Sequence, residues 1–501
     1  MSVLGKKILL INPPSPFLLD ERVFLPLAHA QLAAILEVKE HKVDVLDLAG
    51  YADFVEKTLF QLKKETYDFI GLSATTPQFQ YAIQILREIK KEYPSMPVIL
   101  GGPHATVIGN LRRNILENIK ANPEMKDHPH VMDLNIPSLE EFDKIIEGEG
   151  EALLESAFTH EGEKWVGPGM VPKAEGSKYL SDLPFPDREK FDFASYKWEL
   201  EDRDGVMHKG TNVMDQRGCP FGCYFCSGRN TAVYRVARQR RPEHVVAELD
   251  FLSKKYGLRA FMFYDDEFNV NKDYTIELCN LLKGKNYVLR GFVKSELFIK
   301  FPEVAEAMAA AGFVEVCTGV ESGSLRVLKD YVLKNTTPEI NKAAALLARK
   351  NNIRFKAFTL LGHPSETEED VKLTKQWIID VGTILGKEWF NFDITLHQPY
   401  PGAPSYDQAV FTGKYDEAGK PIFCYRDELF FTKLNFADPK ECTFYKGVPG
   451  EYHSHVWTKN ISKQRYVELR DELDSDIREV FGMEELRRQE QEASIPQRVF
   501  S

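Results

Sequence analysis

Three cysteines fall within eight residues, in Cys219-Pro220-Phe221-Gly222-Cys223-Tyr224-Phe225-Cys226, at a C-x3-C-x2-C spacing. Soft thiolates are the ligands that hold iron–sulfur clusters. Three of them can hold three corners of a 4Fe–4S cube and leave the fourth iron open to a substrate or cosubstrate, as the open position does at other catalytic metal sites. Two plainer readings compete. A structural zinc site wants a fourth Cys or His nearby, and the next His is His244, beyond an Arg-rich stretch. A disulfide with one spare thiol wants an oxidising compartment, and the sequence carries no secretory pattern that would suggest one. Cys279, Cys317, Cys424 and Cys442 stand singly and read as buried thiols.

Other residue groups could serve such a centre. Asp265-Asp266-Glu267-Phe268 follows the apolar run 260–264. Three successive acids at a strand end are costly unless a cation or ammonium sits among them; a surface acidic turn is the alternative. Arg235, Arg238, Arg240 and Arg241 precede Pro242 and read either as a solvated basic turn or as partners for a carboxylate or phosphate. Glu321 in Gly319-Val320-Glu321-Ser322-Gly323 can bond hydroxyls, and Gly323 allows close approach. His363, in Gly362-His363-Pro364-Ser365-Glu366-Thr367, reads as a structural loop histidine. His453 and His455, among the aromatics of 445–457, suggest a pocket lining more than a metal site.

These groups need a frame. Apolar runs at 7–12, 42–48, 69–73, 98–100 and 144–146 alternate with helical patterns at 27–38 and 80–92, which predicts a parallel, doubly wound sheet over residues 1 to about 155. Its ligands would lie at the strand carboxyl ends, where small residues gather. The polar stretch 110–140 reads as an insertion or surface loop. Residues 173–202 read as a linker around Leu183-Pro184-Phe185-Pro186-Asp187. From 211 to 400 about six strand–helix units follow, with strands at 212–216, 260–264, 291–295, 314–320, 355–361 and 391–398. Six is short of a closed eight-unit barrel, so a partial, open (β/α)6 barrel fits. Beyond 405, an amphipathic helix at 462–479 covers the barrel and 484–492 reads as a frayed end. The expected division is 1–170, a Rossmann-like domain; 171–205, a linker; 206–405, the partial barrel; and 406–501, a mainly helical capping region that carries substrate specificity.

The cysteine motif and its aromatic filling resemble the radical S-adenosylmethionine (radical SAM) superfamily. Asn12-Pro13-Pro14, Pro26-Leu27, Asp44-Val45-Leu46-Asp47, Gly71-Leu72-Ser73-Ala74-Thr75-Thr76, Gly101-Gly102-Pro103-His104 and Glu147-Gly148-Glu149-Gly150-Glu151 resemble the cobalamin-binding domain that precedes many such barrels. The resemblance implies that Cys219, Cys223 and Cys226 hold the 4Fe–4S cluster. It implies that Phe225, Asp265 or Asp266, Glu321 and Gly323 contact SAM, and that Ser73, Thr75, Gly101, Gly102 and Pro103 contact cobalamin. The D-x-H-x-x-G cobalt-ligand motif is absent, and His29 and His104 read as packing residues, so no protein His on cobalt is expected. The implied chemistry is reductive cleavage of SAM to a 5′-deoxyadenosyl radical, hydrogen abstraction, and methyl transfer from methylcobalamin to an unactivated carbon. Ring formation, rearrangement or oxidation with the same cofactors is the rival; a zinc-filled binding scaffold is the rival from another class. No catalytic side chain is assigned. The family's substrates range over peptides, lipids, sugars, phosphonates and tetrapyrroles, and its electrons come from a donor such as flavodoxin or ferredoxin.

The bulk numbers agree. An apolar content of 43% is enough for large cores, and 64 basic against 75 acidic residues leave −11, which argues against nucleic acid as a main partner. No run reaches transmembrane length, and the cytoplasm is the expected compartment for an oxygen-sensitive cluster.

Overall fold

The computed structural model describes residues 5–483, apart from 17, 19, 127, 130–131, 160–162, 168–179 and 443–451. In the N-terminal unit six parallel strands, β1 (Lys7–Asn12), β2 (Lys42–Asp47), β3 (Phe69–Ser73), β4 (Val98–Gly101), β5 (Lys144–Ile146) and β6 (Trp165–Val166), form one sheet in the order β2-β1-β3-β4-β5-β6. Ile8, Leu9, Leu10 and Ile11 are all buried because helices cover both faces. Leu9 and Ile11 pack with Leu62, Phe79, Ile83 and Ile108; Ile8 and Leu10 pack with Ala33, Leu36 and Leu154 on the other side. The doubly wound reading holds.

The stretch 110–140 departs from its reading as a loop. Residues Pro103–Ala121 form one helix, followed by the short helix Asn135–Leu139. Val107, Ile108 and Leu111 give it a buried stripe. Its two arginines are anchored rather than free: Arg112 lies 4.8 Å over the Trp165 ring and 3.3 Å from Glu140, and Arg113 pairs with Glu147.

The second sheet runs β15-β14-β13-β12-β11-β8-β7. The edge strand β7 (Glu199–Glu201) is antiparallel to β8 (Met207–Val213). A short hairpin of β9 (Gln216–Arg217) and β10 (Arg238–Gln239) leaves the sheet after β8. Then β11 (Ala260–Phe263), β12 (Val288–Phe292), β13 (Phe313–Glu321), β14 (Arg354–Leu361) and β15 (Phe390–Leu396) follow in parallel. With β8 they make six parallel strands, curled as a partial barrel. The outer helices pack on them through Leu249, Leu278, Met308, Ala344 and Ile378. The segment before the barrel is pinned by Arg188, which is buried, 3.0 Å from Glu248 and bonded to the Asn212 carbonyl at 2.9 Å. Thr337 caps the helix Pro338–Lys350, its side chain accepting from the Ile340 N–H.

The C-terminal region corrects the expectation of a mainly helical cap. It opens with an antiparallel sheet of β16 (Val410–Tyr415), β17 (Pro421–Tyr425), β18 (Leu429–Thr432) and β19 (Val456–Trp457). The β17–β18 turn puts Arg426 and Asp427 at φ of 53° and 57° without the Asn-Gly or Asp-Gly pair that announces a hairpin. The helix Lys463–Phe481 follows and buries Tyr466, Leu469, Leu473 and Ile477 against the barrel's outer layer. The 484–492 stretch, residues 445–451 and most of the early linker lie outside the described residues.

Candidate active site

The cysteine loop leaves β9 at Gly218, where φ is +81° and an added Cβ would lie 2.4 Å from the Val236 carbonyl oxygen. Only glycine fits that turn. The loop is clasped from two sides. The Cys219 N–H donates to the Tyr234 carbonyl at 3.0 Å, and Arg229 donates to the Cys219 carbonyl. Behind it, Ser227 Oγ donates to the Pro401 carbonyl at 2.7 Å and the Ser405 N–H to the Tyr224 carbonyl at 2.9 Å. The proline-rich turn after β15 is therefore the backing of the loop.

The two aromatics between the ligands do different things. Tyr224 is fully buried, stacked between His397 at 5.5 Å and Tyr425 at 5.7 Å, with its hydroxyl 2.8 Å from His363 Nδ1. It anchors the loop to the core. Phe225 is half-buried and packs edge-on against Tyr224 at 5.3 Å. His363 and His397 are buried and kept neutral, their pKa values lowered by desolvation to about 4 and about 3.

The three thiols are half-buried. Burial pushes Cys223 up to about 11, and raises Cys219 and Cys226 too. Thiolates here need cations, and cations are close. Arg229 interacts with all three sulfurs and Lys334 with Cys223 and Cys226, while Lys294 stands near Cys223 and Cys219. Among the described residues no three Cys, His, Asp or Glu side chains converge as on a single metal ion. Three half-buried thiols ringed by Arg229, Lys334 and Lys294 are a donor set that suits an anionic three-thiolate cluster.

The acids behind the loop separate into structure and site. Asp265 is buried and accepts the N–H groups of Asp215 and Gln216, both at 2.9 Å, so it ties the bend after β11 to the start of β9. Asp266 faces the cavity described below and lies near Arg229. Glu267 has one buried oxygen without a partner, and burial, opposed by Lys334 and Lys294, raises its carboxyl to about 7. Glu321 sits at a bulge with φ +64°, 2.8 Å from the buried Lys334 Nζ, which also bonds the Gly319 carbonyl at 2.8 Å. Lys294 is buried, 4.2 Å over the Phe221 ring of the cysteine loop, and bonds the Lys334 carbonyl at 2.6 Å. Gly323 faces elsewhere: a Cβ there would meet the Leu373 carbonyl at 2.4 Å, so it packs the outer helix Glu368–Leu385.

Arg229, Lys294 and Lys334 were not legible as site residues, and Glu267 was legible only as one of three successive acids. Lys334 and Lys294 gain meaning only from the contacts that the fold gives them.

A cavity of about 430 Å³ lies between the two sheets' carboxyl ends. The N-terminal domain contributes Ser73, Gly101, Gly102, Pro103, Gly148, Glu149 and Glu151; the barrel contributes Asp215, Arg217, Tyr234, Arg238, Tyr264 and Asp266. Gly102 is required, since at φ +90° a Cβ would lie 2.6 Å from Ser73 Oγ and 3.0 Å from the Ala74 nitrogen. Of the five expected residues, only Thr75 is outside: its N–H and hydroxyl bond Gln78 Oε1 at 3.0 and 2.9 Å. His29 also lines the cavity but bonds the Ile11 carbonyl at 3.0 Å; His104 is buried, stacked on Phe79 at 4.2 Å, with burial lowering its pKa to about 3. A glycine-walled cavity with polar groups at its rim fits a large flat corrin.

Residues 213–378 match the model of the radical SAM superfamily, and residues 21–116 match that of the B12 binding domain. The chain belongs to the cobalamin-dependent radical SAM enzymes. As such, this enzyme takes a 4Fe–4S cluster, SAM and cobalamin as cofactors. It is 28% identical over 421 residues to an uncharacterised methyltransferase of Pyrococcus horikoshii, covering 81% of this chain and 83% of that one. It is 26% identical to the anaerobic magnesium-protoporphyrin IX monomethyl ester cyclase of Rubrivivax gelatinosus, over 74% of this chain but only 61% of the relative. The fold matches TsrM, a radical SAM methyltransferase from Kitasatospora setae, with a TM-score of 0.63 and 16% identity over 98% of this chain and all of that one. Among the described residues no helix is long and apolar enough to cross a membrane. His453 is exposed and His455 half-buried, and no metal cluster includes them among the described residues.

Proposed function

We propose that this radical SAM enzyme is a C-methyltransferase. Cys219, Cys223 and Cys226 would hold the cluster, and the interdomain cavity would hold cobalamin between Gly101-Gly102-Pro103 and the β9–β10 hairpin. Together these cofactors supply a 5′-deoxyadenosyl radical for hydrogen abstraction and a methyl group for transfer. The chain's own residues do the positioning. Lys334 and Lys294 offer ammonium donors to a SAM carboxylate, and Asp266 and Glu267 offer acceptors to its amino group. Glu321 orients Lys334 through the 2.8 Å pair. The Tyr224 column fixes the loop, and the N-terminal domain roofs the site against water.

The observation that carries the reading is the cavity that faces both the cobalamin-type strand ends and Asp266, one residue from Glu267 beside the cysteine loop. The methyltransferase relative of similar length favours methyl transfer over the cyclase reaction, whose relative is much longer than the matched part. The substrate is read as a small molecule or peptide admitted beside the 410–457 sheet, the electron donor as a flavodoxin or ferredoxin, and the compartment as the cytoplasm. Anaerobic incubation of reconstituted enzyme with SAM, reductant and a cell extract tests the reaction type. Methyl transfer yields S-adenosylhomocysteine and 5′-deoxyadenosine together; 5′-deoxyadenosine alone contradicts it.

A further inference from the structure

The concave face of the partial barrel has a filled half and an open half. On β13, β14 and β15 alternate side chains, among them Val316, Phe355, Ala357, Phe392 and Ile394, pack with the outer helices. Cys317, Gly319, Lys356, Phe358 and Asp393 therefore face the concave side. Near β11 that side is filled, because Trp198 and Leu200 pack with Met262 and Val288. Toward β15 it is open: Phe292, Lys356, Phe358 and Asp393 are only half-buried. The Phe292 and Phe358 rings stand 5.9 Å apart and make an apolar shelf there. Phe358 is in register with Gly319 on one side and Asp393 on the other. A Cβ on Gly319 would lie 2.5 Å from Lys334 Nζ, so the shelf adjoins the ammonium offered to the SAM carboxylate.

The charges on this face divide into paired and unpaired. Arg290 Nε lies 2.8 Å from Glu315 Oε1 and 3.2 Å from Cys317 Sγ, and Glu315 also takes Arg354 at 3.7 Å. Lys356 stands opposite Cys317, with Nζ 5.2 Å from the Phe358 ring centre, and has no carboxylate partner among the described residues. Asp393, its diagonal neighbour across β14 and β15, has no side-chain partner among them either. A half-desolvated ammonium without an anion is a receptor for one. We propose that the open half of the barrel is the substrate site and that it takes an amphiphilic anion. An apolar or aromatic body lies on Phe292 and Phe358, a carboxylate or phosphate meets Lys356, and Asp393 accepts from an N–H or O–H of the same molecule. Lys356 is two residues, roughly 7 Å, below Phe358 along the strand, so the anion is held at the far end from Lys334 and the body is presented to it. This rests on the reading that SAM lies at Lys334, and it adds the class of substrate.

The test is equilibrium dialysis of the reconstituted holoenzyme, without reductant, against SAM, the naphthoate anion and its neutral isostere naphthamide. Wild type should retain naphthoate about tenfold or more strongly than naphthamide, as a charge-assisted bond implies. Lys356→Gln should bring the two probes level, Lys356→Glu should favour naphthylmethylammonium over naphthoate, and Phe358→Ala should weaken naphthoate and naphthamide together. Melting midpoints check that each variant is folded. The inference is overturned if wild type does not prefer naphthoate or retains neither probe at millimolar concentration. It is overturned equally if Lys356→Gln keeps the preference or Phe358→Ala weakens neither probe. Wild type that binds SAM but shows no preference for naphthoate sinks this inference alone; wild type that takes up no SAM sinks the assignment of Lys334 as well.

Discussion

Lys334→Met should destabilise the barrel domain by about 3–5 kcal/mol, the usual cost of removing one partner of a buried ion pair. Lys334 is 7% exposed, and its ammonium lies 2.8 Å from both Glu321 Oε1 and the Gly319 carbonyl. At an effective dielectric of about 20, a 2.8 Å contact is worth roughly 6 kcal/mol before the lysine's own desolvation is returned. Gly319 has no room to compensate, since a Cβ there would lie 2.5 Å from Lys334 Nζ and 2.2 Å from Glu321 Oε1. For a domain of about 200 residues the loss corresponds to a melting midpoint lowered by roughly 10 °C. Glu321→Gln in the same chain removes the stranded carboxylate, so the double variant should recover more than half of the drop. Thermal unfolding of the apo-protein by circular dichroism reads all three. A single variant that melts within about 2 °C of wild type would refute the reasoning, because it would mean that Glu321 finds water or another cation.

Three further outcomes follow from the same geometry. Asp265→Ala strands two backbone N–H groups and should cost about 2–4 kcal/mol of stability; Asp266→Ala should leave the midpoint nearly unchanged and weaken SAM binding in equilibrium dialysis. Gly102→Ala forces a φ of +90° on a side chain that meets Ser73 Oγ at 2.6 Å, and should cost more than about 2 kcal/mol and abolish cobalamin uptake measured by absorbance. Glu366 is buried with its carboxyl raised to about 8, so its contribution is full below pH 4.5 and is lost as the pH rises toward 8. Glu366→Gln keeps an acceptor for the Gly362 N–H at 2.7 Å, and its midpoint relative to wild type should rise from pH 5 to pH 9; a constant difference would contradict the buried carboxyl.

Local signals identified the two α/β units well. The continuous run Ile8–Ile11 could only be a strand covered on both faces, and six parallel strands follow from six apolar runs between 211 and 400. What failed was local disguise. Arg112 and Arg113 hid a helix whose arginines pair with Glu140 and Glu147, and the Arg426-Asp427 turn hid a hairpin. At the site, adjacency in sequence misled: Asp265 and Asp266 look alike, but the bend after β11 turns the first into backbone bonds and the second into the cavity. The cations around the thiols come from three separate segments, at 229, 294 and 334, and only the fold brings them together.

The most direct measurement counts iron and sulfide in anaerobically reconstituted wild type and in Cys219→Ala, Cys223→Ala and Cys226→Ala, alongside 5′-deoxyadenosine released from SAM under reduction. About four irons and four sulfides per wild-type chain, with nucleoside release lost in every variant, is the expected result. Zinc without iron in the wild type, or nucleoside release that survives any one substitution, contradicts a cluster held by these three thiols.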